Sequence, residues 1–448
     1  MIPNKIFAYL NSNFKTLLLL YFLVQLFILL FTSLNYTSDS LYYYQLAQGC
    51  ISNHTFYPTH QNFYNDYLVA PAYINLLIVL LSIINSKLVI GFLNIILNFT
   101  QVCLVYKITE NIFGKNSGKT AVIIYCFYLS TLGMILMNYT EMLFMVFVLM
   151  SIYFFLKKSN LMYVCSGMFA GAAVGVRPLG WVLVAAYLIN YFIDFKNLNK
   201  NFGNYSLLIT GAAIFILGFG LFTYSNSGRF IYTSTNAPIN ILIGANDDAT
   251  GAYNDRVFEK GNAGYIENPE RFTYDQKQNL WMHEAEIWIF EHPLKWLSLF
   301  PMKLVHMFAW DDFSVSKLLV GNDWNLYRIV KNIFSGKFSE IMPGEQPFVK
   351  FSYFIILIVH HLYYYSLITM LLTVIFIYFK EIIENPILRI LILFSVMGIF
   401  IHLLTFGDAR YKYPYIITAM IFISPIVNQI VNKKKIKSLT GEYGKNYV

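Results

Sequence analysis

Charge is scarce in this chain. Of its 448 residues only 12% are charged, about half the share of an ordinary soluble domain. Hydrophobic residues make up 57% and aromatics 18%. A soluble core has no use for so much apolar sequence, so the chain reads as an integral membrane protein. Cysteine is also sparse, with four in all. Cys103, Cys126 and Cys165 fall inside apolar runs, where they pack as small hydrophobes, and Cys50 has no obvious partner. No disulfide framework is expected. The chain has no GxxxxGK[ST] loop, no HExxH and no CxxC. ATP hydrolysis therefore finds no support, and energy for any chemistry must come from elsewhere. His360 and His361 are adjacent in an apolar helix, a poor metal geometry, and are expected at a helix–helix contact.

What the chain does have is long apolar runs. A span needs about 20 apolar residues. Candidates are 16–34, 88–106, 120–137, 141–156, 161–176, 179–193, 205–224, 352–379, 386–405 and 413–431. The first follows Lys5 and Lys15 as a signal peptide would, but no small-residue cleavage site follows it, so it reads as an uncleaved span. The net charge of +8 does not point to nucleic acid, because lysines gather in short loops. Lys107, Lys115 and Lys119 share one, Lys157 and Lys158 a second, Lys196 and Lys200 a third; Lys380 follows a span and "KKKIK" at 433–437 follows the last. Placing all of these with the N-terminus in the cytoplasm lets the spans alternate without conflict. Two further apolar stretches, 71–84 and 287–309, would break that parity one at a time. Both are expected as helices in or dipping into the outer interface, the second carrying Lys295 and Lys303. The predicted fold is an all-α polytopic bundle of about 10–12 helices. Its expected parts are an N-terminal membrane module (1–224) with an outer loop at 35–87, an outer-face region (225–350), and C-terminal membrane helices (351–448).

This topology gathers several ionisable residues on one face, where such groups are costly and often functional. Asp39, in "TSDSLYYYQLA", is the only acid before residue 66 and opens a predicted helix. It can cap that helix, and it is also well placed as a general base, with Tyr43 one turn on to shape a pocket. Glu141 opens the span after "MNYT" and reads equally as a solvated turn acid or a pocket residue. Arg177, amid small and apolar residues before Pro178, can snorkel to headgroups or hold a phosphate. "GDARYKYP" at 407–414 is the densest cluster, with Asp408, Arg410, Tyr411 and Lys412 in one turn. Two cations on the outer face run against the positive-inside rule, and a bound anion would explain them. The alternative is an Asp408–Arg410 pair touching lipid phosphate.

Taken in order, these segments resemble the GT-C class of membrane glycosyltransferases. They resemble in particular the bacterial relatives of the dolichyl-phosphate-mannose protein mannosyltransferases and of the lipid A aminoarabinose transferase. "SDSLYYYQLAQG" is similar to the family's first-loop motif, here Asp39, Tyr43 and Ala47. "YLVAPAYINLL", "YTEMLFMVFVLMSIYFF", "GMFAGAAVGVRPLGWVLV", "NAPINILIGANDDATGAYN" and "GDARYKYPYIITAM" resemble its later segments. Many members carry paired acids in the first loop, whereas Ser40 follows Asp39 here.

The resemblance implies inverting transfer of a hexosyl or pentosyl group from a polyprenyl-phosphate donor to a lipid, glycan or protein acceptor. The reaction would take place on the extracytoplasmic side of a bacterial cytoplasmic membrane. Asp39 would be the base, and Arg410, Lys412 and Arg177 would hold the donor phosphate. Glu141, Tyr43, Asp408 and Tyr411 would shape the pocket. No metal ligands are assigned and no cofactor is firmly implied; a divalent metal is compatible but unsupported. The alternatives are a transporter or flippase of a lipid-linked saccharide, and a saccharide polymerase or ligase. Transporters typically show inverted repeats and helices broken near the membrane midplane, and no repeat is evident in the sequence.

Overall fold

The structure is a computed structural model that describes residues 4–195, 198–319, 326–337, 340–341, 345–432 and 439. Lys196 and the 433–437 lysine cluster lie outside the described residues. The chain begins with α1 (Asn4–Ser12), α2 (Phe14–Phe31), α3 (Ser38–Ser52), α4 (Pro71–Ile83), α5 (Lys87–Phe113), α6 (Lys115–Cys126) and α7 (Leu129–Gly133). It continues with α8 (Glu141–Phe155), α9 (Asn160–Val176), α10 (Gly180–Ile193), α11 (Leu198–Ser227) and α12 (Ala237–Ile243). Then follow α13 (Tyr274–Glu291), α14 (Pro293–Ser298), α15 (Phe300–Phe308), α16 (Phe313–Leu319) and α17 (Leu326–Phe334). The last three helices are α18 (Pro347–Glu384), α19 (Pro386–Leu404) and α20 (Tyr413–Val431). The described residues form no strand; Ala252 and Gly407 make one isolated parallel bridge.

Among the described residues, six helices are long and apolar enough to cross a membrane: α2, α5, α11, α18, α19, and α20 with the turn before it. Every predicted span contains helix, one of them is broken, and three others are short. α8, α9 and α10 have 15, 17 and 14 residues. α8 is buried along most of its length and packs on α5 and α9, so it need not match the thickness of a lipid-facing helix. α9 and α11 press together most closely. A methyl group on Gly167 would lie 1.8 Å from the Leu208 carbonyl oxygen, and one on Gly211 would lie 2.1 Å from that of Val164. Small residues let two backbones approach in this way.

The stretch 120–137 departs from its expectation as one straight span. α6 ends at Cys126, and the chain resumes as α7 and a short 3-10 turn at an angle of 63°. A break of this kind leaves backbone carbonyls without helical partners, which is tolerable only where protein supplies donors. α5 supplies them. Asn98 Nδ2 donates to the Thr131 carbonyl (3.1 Å), and Asn94 Nδ2 donates to those of Ile135 (3.1 Å) and Met137 (2.6 Å). Tyr125 and Tyr21 complete the buried network around Asn98.

The stretch 287–309 is not one helix either. It is the end of α13, then α14, then α15, with Pro293 and Pro301 each within the first two residues of the new segment. Proline lacks the N–H that an interior helical position must donate, so it sits where a helix begins. Lys303 is also not interfacial. It is fully buried, and its ammonium donates to the Gly244 and Leu403 carbonyls at 3.0 and 2.9 Å. These bonds tie α15 to the end of α12 and the end of α19.

Candidate active site

The N-terminal end of α3, the 139–141 turn, the α9–α10 junction, α12, α15, α16 and the turn after α19 surround one cavity of about 1350 Å3. Asp39, Tyr43, Glu141, Arg177, Asp408, Arg410 and Tyr411 all line it. Seven of the eight residues predicted from four separate chain segments therefore meet at one place. Lys412 is the exception.

Asp39 sits in the first turn of α3, and Thr37, at the N-cap, makes no side-chain capping bond. The Asp39 carboxylate instead faces the cavity and accepts a hydrogen bond from Arg410 Nη1 at 2.5 Å. Arg410 is held by the 3-10 turn 409–412, which Asp408 caps by accepting from the Arg410 backbone N–H at 2.9 Å. Asp408 thus caps this turn, and the expected Asp408–Arg410 pair is present as a looser contact to Arg410 Nε at 3.8 Å. That Nε is buried and has no hydrogen-bond acceptor among the described residues.

Glu141 begins α8 and is 2% exposed. It is not a solvated turn acid: it pairs with Arg177 Nη1, which also donates to Thr140 Oγ1 at 3.2 Å. Burial alone would lower the Arg177 pKa, yet the neighbouring Glu141 carboxylate holds it above its ordinary value. Tyr411 lies between the two arginines, with centroid distances of 5.8 Å to Arg177 and 5.4 Å to Arg410. His402 stacks on Tyr411 at 4.2 Å and completes this layer. The arrangement brings two carboxylate–guanidinium pairs and an aromatic spacer to one wall.

Ser40 has a distinct task. It is buried; its hydroxyl accepts from the Asn138 N–H at 3.1 Å, and its carbonyl accepts from Asn138 Nδ2 at 3.0 Å. It joins α3 to the turn before Glu141 and so sets the spacing of the two acids. Tyr43 packs edge-on against Tyr73 at 5.9 Å, and Tyr73 in turn donates to Asn138.

Lys412 corrects its prediction. Two positions beyond Arg410 in the tight turn, its side chain leaves the cavity and is 1% exposed. Its ammonium contacts the Asp311 carboxylate at 3.1 Å and donates to the Trp310 and Ala409 carbonyls at 2.5 and 2.9 Å. Asp311 also meets His360 Nε2 at 3.0 Å and accepts from Ser130 Oγ at 3.0 Å. Burial would raise the Asp311 carboxyl, but Lys412 and His360 hold it well below the usual carboxylate range. His360 and His361 thus make a helix-to-loop contact, with His361 Nε2 accepting the Asp311 backbone N–H at 3.2 Å. The network anchors the turn that carries Arg410.

Several cavity residues were not foreseen. Lys317 on α16 lines it and donates to Thr37 Oγ1 at 3.3 Å, close to the start of α3. Asp312 and His306 line it as well. Burial lowers the pKa of His306, against smaller opposing effects of Thr250 and Asp408. His306 lies within the amphipathic α15, and Asp312 and Lys317 follow it in a stretch without apolar periodicity to mark them. Among the described residues, no group of three or more His, Cys, Asp or Glu side chains is placed to hold a metal ion.

Residues 68–220 match the family model described as dolichyl-phosphate-mannose-protein mannosyltransferase. No curated protein sequence matches the chain. The fold is similar to crystal structures of an oligosaccharyltransferase from Archaeoglobus fulgidus. Its apo form superposes with a TM-score of 0.51 at 13% identity, covering 94% of this chain and 50% of that one. AglB from the same organism, in complex with an inhibitory peptide and a dolichol-phosphate, gives 0.51 at 14% identity with the same coverage. The chain thus spans about half the length of the structures it matches. The all-α, GT-C-like bundle expected from the sequence thus resembles the fold of this oligosaccharyltransferase.

Proposed function

We propose that the protein transfers a sugar, with inversion, from a polyprenyl-phosphate donor to an acceptor hydroxyl or amine. In this reading the cavity opens to the extracytoplasmic side of a bacterial cytoplasmic membrane. The observation that carries it is the meeting of Asp39 with Arg410 and Arg177 around one large cavity. A carboxylate beside two guanidiniums supplies what glycosyl transfer from a phosphate requires: a base for the acceptor proton and a cation for the leaving group.

Asp39 accepts the acceptor's proton as its oxygen or nitrogen bonds to the anomeric carbon. The bond from that carbon to the phosphate oxygen breaks, and its electron pair stays on the polyprenyl phosphate. Arg410 stabilises that growing charge through charge-assisted hydrogen bonds, with Arg177 behind Tyr411 adding to the field. Attack opposite the leaving group inverts the centre. In the resting site Arg410 occupies the Asp39 carboxylate through a hydrogen bond. A donor phosphate competes for the guanidinium and so frees Asp39 only when donor is bound.

The test is reconstitution of the chain in proteoliposomes with polyprenyl-phosphate hexoses and pentoses and a panel of lipid, glycan and peptide acceptors. Release of polyprenyl phosphate in step with an acceptor glycoside of inverted configuration is the expected result. Retained configuration would refute direct displacement. Movement of intact donor across the bilayer without bond cleavage would identify a transporter instead.

A further inference from the structure

A second cavity, of about 630 Å3, opens between α2, α5 and α6 and is lined by Lys15, Lys107, Lys115 and Lys119. It lies at the far end of the bundle from the first. α2 begins beside this cleft and ends six residues before Thr37 of the upper cavity; its 18 residues rise about 27 Å. We propose that this cleft binds the headgroup phosphate of an anionic phospholipid from the surrounding leaflet.

Three observations support it. The first is charge. Glu110 is bridged to Lys107 at 2.9 Å, accepts from Tyr106 at 2.8 Å and also acts on Lys115, but it is one carboxylate against the four lysines of the cleft. Lys119 donates to the Asn11 carbonyl at 3.0 Å, which leaves its charge uncompensated. Lys15 and Lys115 are exposed and have no carboxylate within ion-pair distance among the described residues, although Lys115 is near enough to act on Glu110. The second is convergence. Solvated lysines that merely follow the positive-inside rule need not share a cavity, yet these come from three helices and face one space. The third is the chemistry of the walls. Leu18 and Val102 line the cleft beneath the lysines, and α2 continues past it with Leu19, Leu20 and Leu23 exposed. A cationic mouth continuous with an apolar face suits an amphiphile, whose phosphate sits among the ammoniums and whose chains follow the helix. A basic pocket between membrane helices is a favourable headgroup site for this reason.

The test uses the full chain purified in a neutral detergent. Native mass spectrometry follows binding of phosphatidylglycerol and of phosphatidylcholine with matched chains, with inorganic phosphate as competitor. Wild type is compared with Lys15→Gln/Lys115→Gln, which removes two exposed lysines that support no internal contact. Lys157→Gln/Lys158→Gln, two lysines of a separate loop outside the cleft, is the control. The expected result is one phosphatidylglycerol per chain, bound at least about tenfold more tightly than phosphatidylcholine. The first variant weakens it by a similar factor, the control leaves it unchanged, and inorganic phosphate fails to displace it. Bound phosphatidylglycerol should also slow alkylation of Cys103, which is exposed on the cleft wall. Equal retention of the two lipids, or equal loss in both variants, would reduce the cleft to diffuse surface charge and overturn the proposal. Displacement by inorganic phosphate would overturn it in favour of a soluble anion.

Discussion

Asp39 and Arg410 stand 371 positions apart in the chain and meet at 2.5 Å on the cavity wall. Under the proposed reaction this ion pair is the resting form of the site, and the donor phosphate must displace it. Arg410→Lys keeps the charge but loses the planar fork that can engage carboxylate and phosphate in turn. The donor KM is expected to rise about tenfold or more, as losing one charge-assisted hydrogen bond implies. The acceptor KM should change little. Initial rates at varied donor concentration measure this, and an unchanged donor KM would remove Arg410 from the phosphate site.

Glu141 and Arg177 form the second pair, with Glu141 almost fully enclosed. Glu141→Gln leaves a guanidinium without its counter-charge. Breaking a buried pair from one side costs roughly 3–5 kcal/mol, and the partial exposure of Arg177 to the cavity places the expected loss toward or below the lower figure. Arg177→Gln added to Glu141→Gln should recover part of that loss. A double-mutant cycle of melting temperatures in detergent reads the coupling; strict additivity would mean that the pair contributes no interaction energy.

Lys412 and Arg410 share one turn yet face different surroundings, which gives a contrast within two residues. Lys412→Gln removes the counter-charge of buried Asp311 and is expected to lower the melting temperature markedly. Folded Lys412→Gln protein should keep a near-normal donor KM. Arg410→Gln should do the reverse, raising donor KM with a smaller thermal shift. A donor KM that rises equally in both would return Lys412 to the phosphate site.

Lys303 predicts a pH effect. Burial lowers its pKa to about 8 from the ordinary 10.5. The unfolded chain therefore binds this proton more tightly than the folded one. The folded state carries the full penalty below pH 8 and is relieved of it as pH rises toward the unfolded value. Between pH 8 and 10 the melting temperature of wild type should rise relative to that of Lys303→Met. Parallel curves would show that the lysine titrates normally. The variant also leaves the Gly244 and Leu403 carbonyls without their donor, a cost of about 1–3 kcal/mol that sets its offset at neutral pH.

The residues legible in the sequence were those whose presence has an energetic reason. Asp39, Arg177 and Arg410 are ionisable groups at the ends of apolar runs, where chance seldom leaves them, and all three line the cavity. Lys412 misled because a one-line sequence cannot show that neighbours in a tight turn point to different sides. The break after Cys126 was invisible to hydropathy, which scores composition and not direction. Its signal lay elsewhere: Asn94, Asn98 and Gln101 follow i, i+4, i+7 spacing along an apolar helix, marking a polar stripe that must meet something polar. Lys303 looked interfacial because its neighbours are amphipathic, and only the approach of α12 and α19 buries it. Asp311, Asp312 and Lys317 follow α15 with no pattern, so their roles depend on tertiary contacts alone.

The central claim is that Asp39 removes the acceptor proton while Arg410 receives the donor phosphate. Asp39→Asn tests it most directly, because the amide keeps the shape, cannot take the proton, and no longer neutralises Arg410. Single-turnover transfer from a saturating polyprenyl-phosphate sugar should fall by about 10²- to 10⁴-fold, the range of general-base catalysis. Equilibrium binding of the same donor should be retained or tightened. A transfer rate within about threefold of wild type, which is far smaller than loss of a general base allows, would contradict the account.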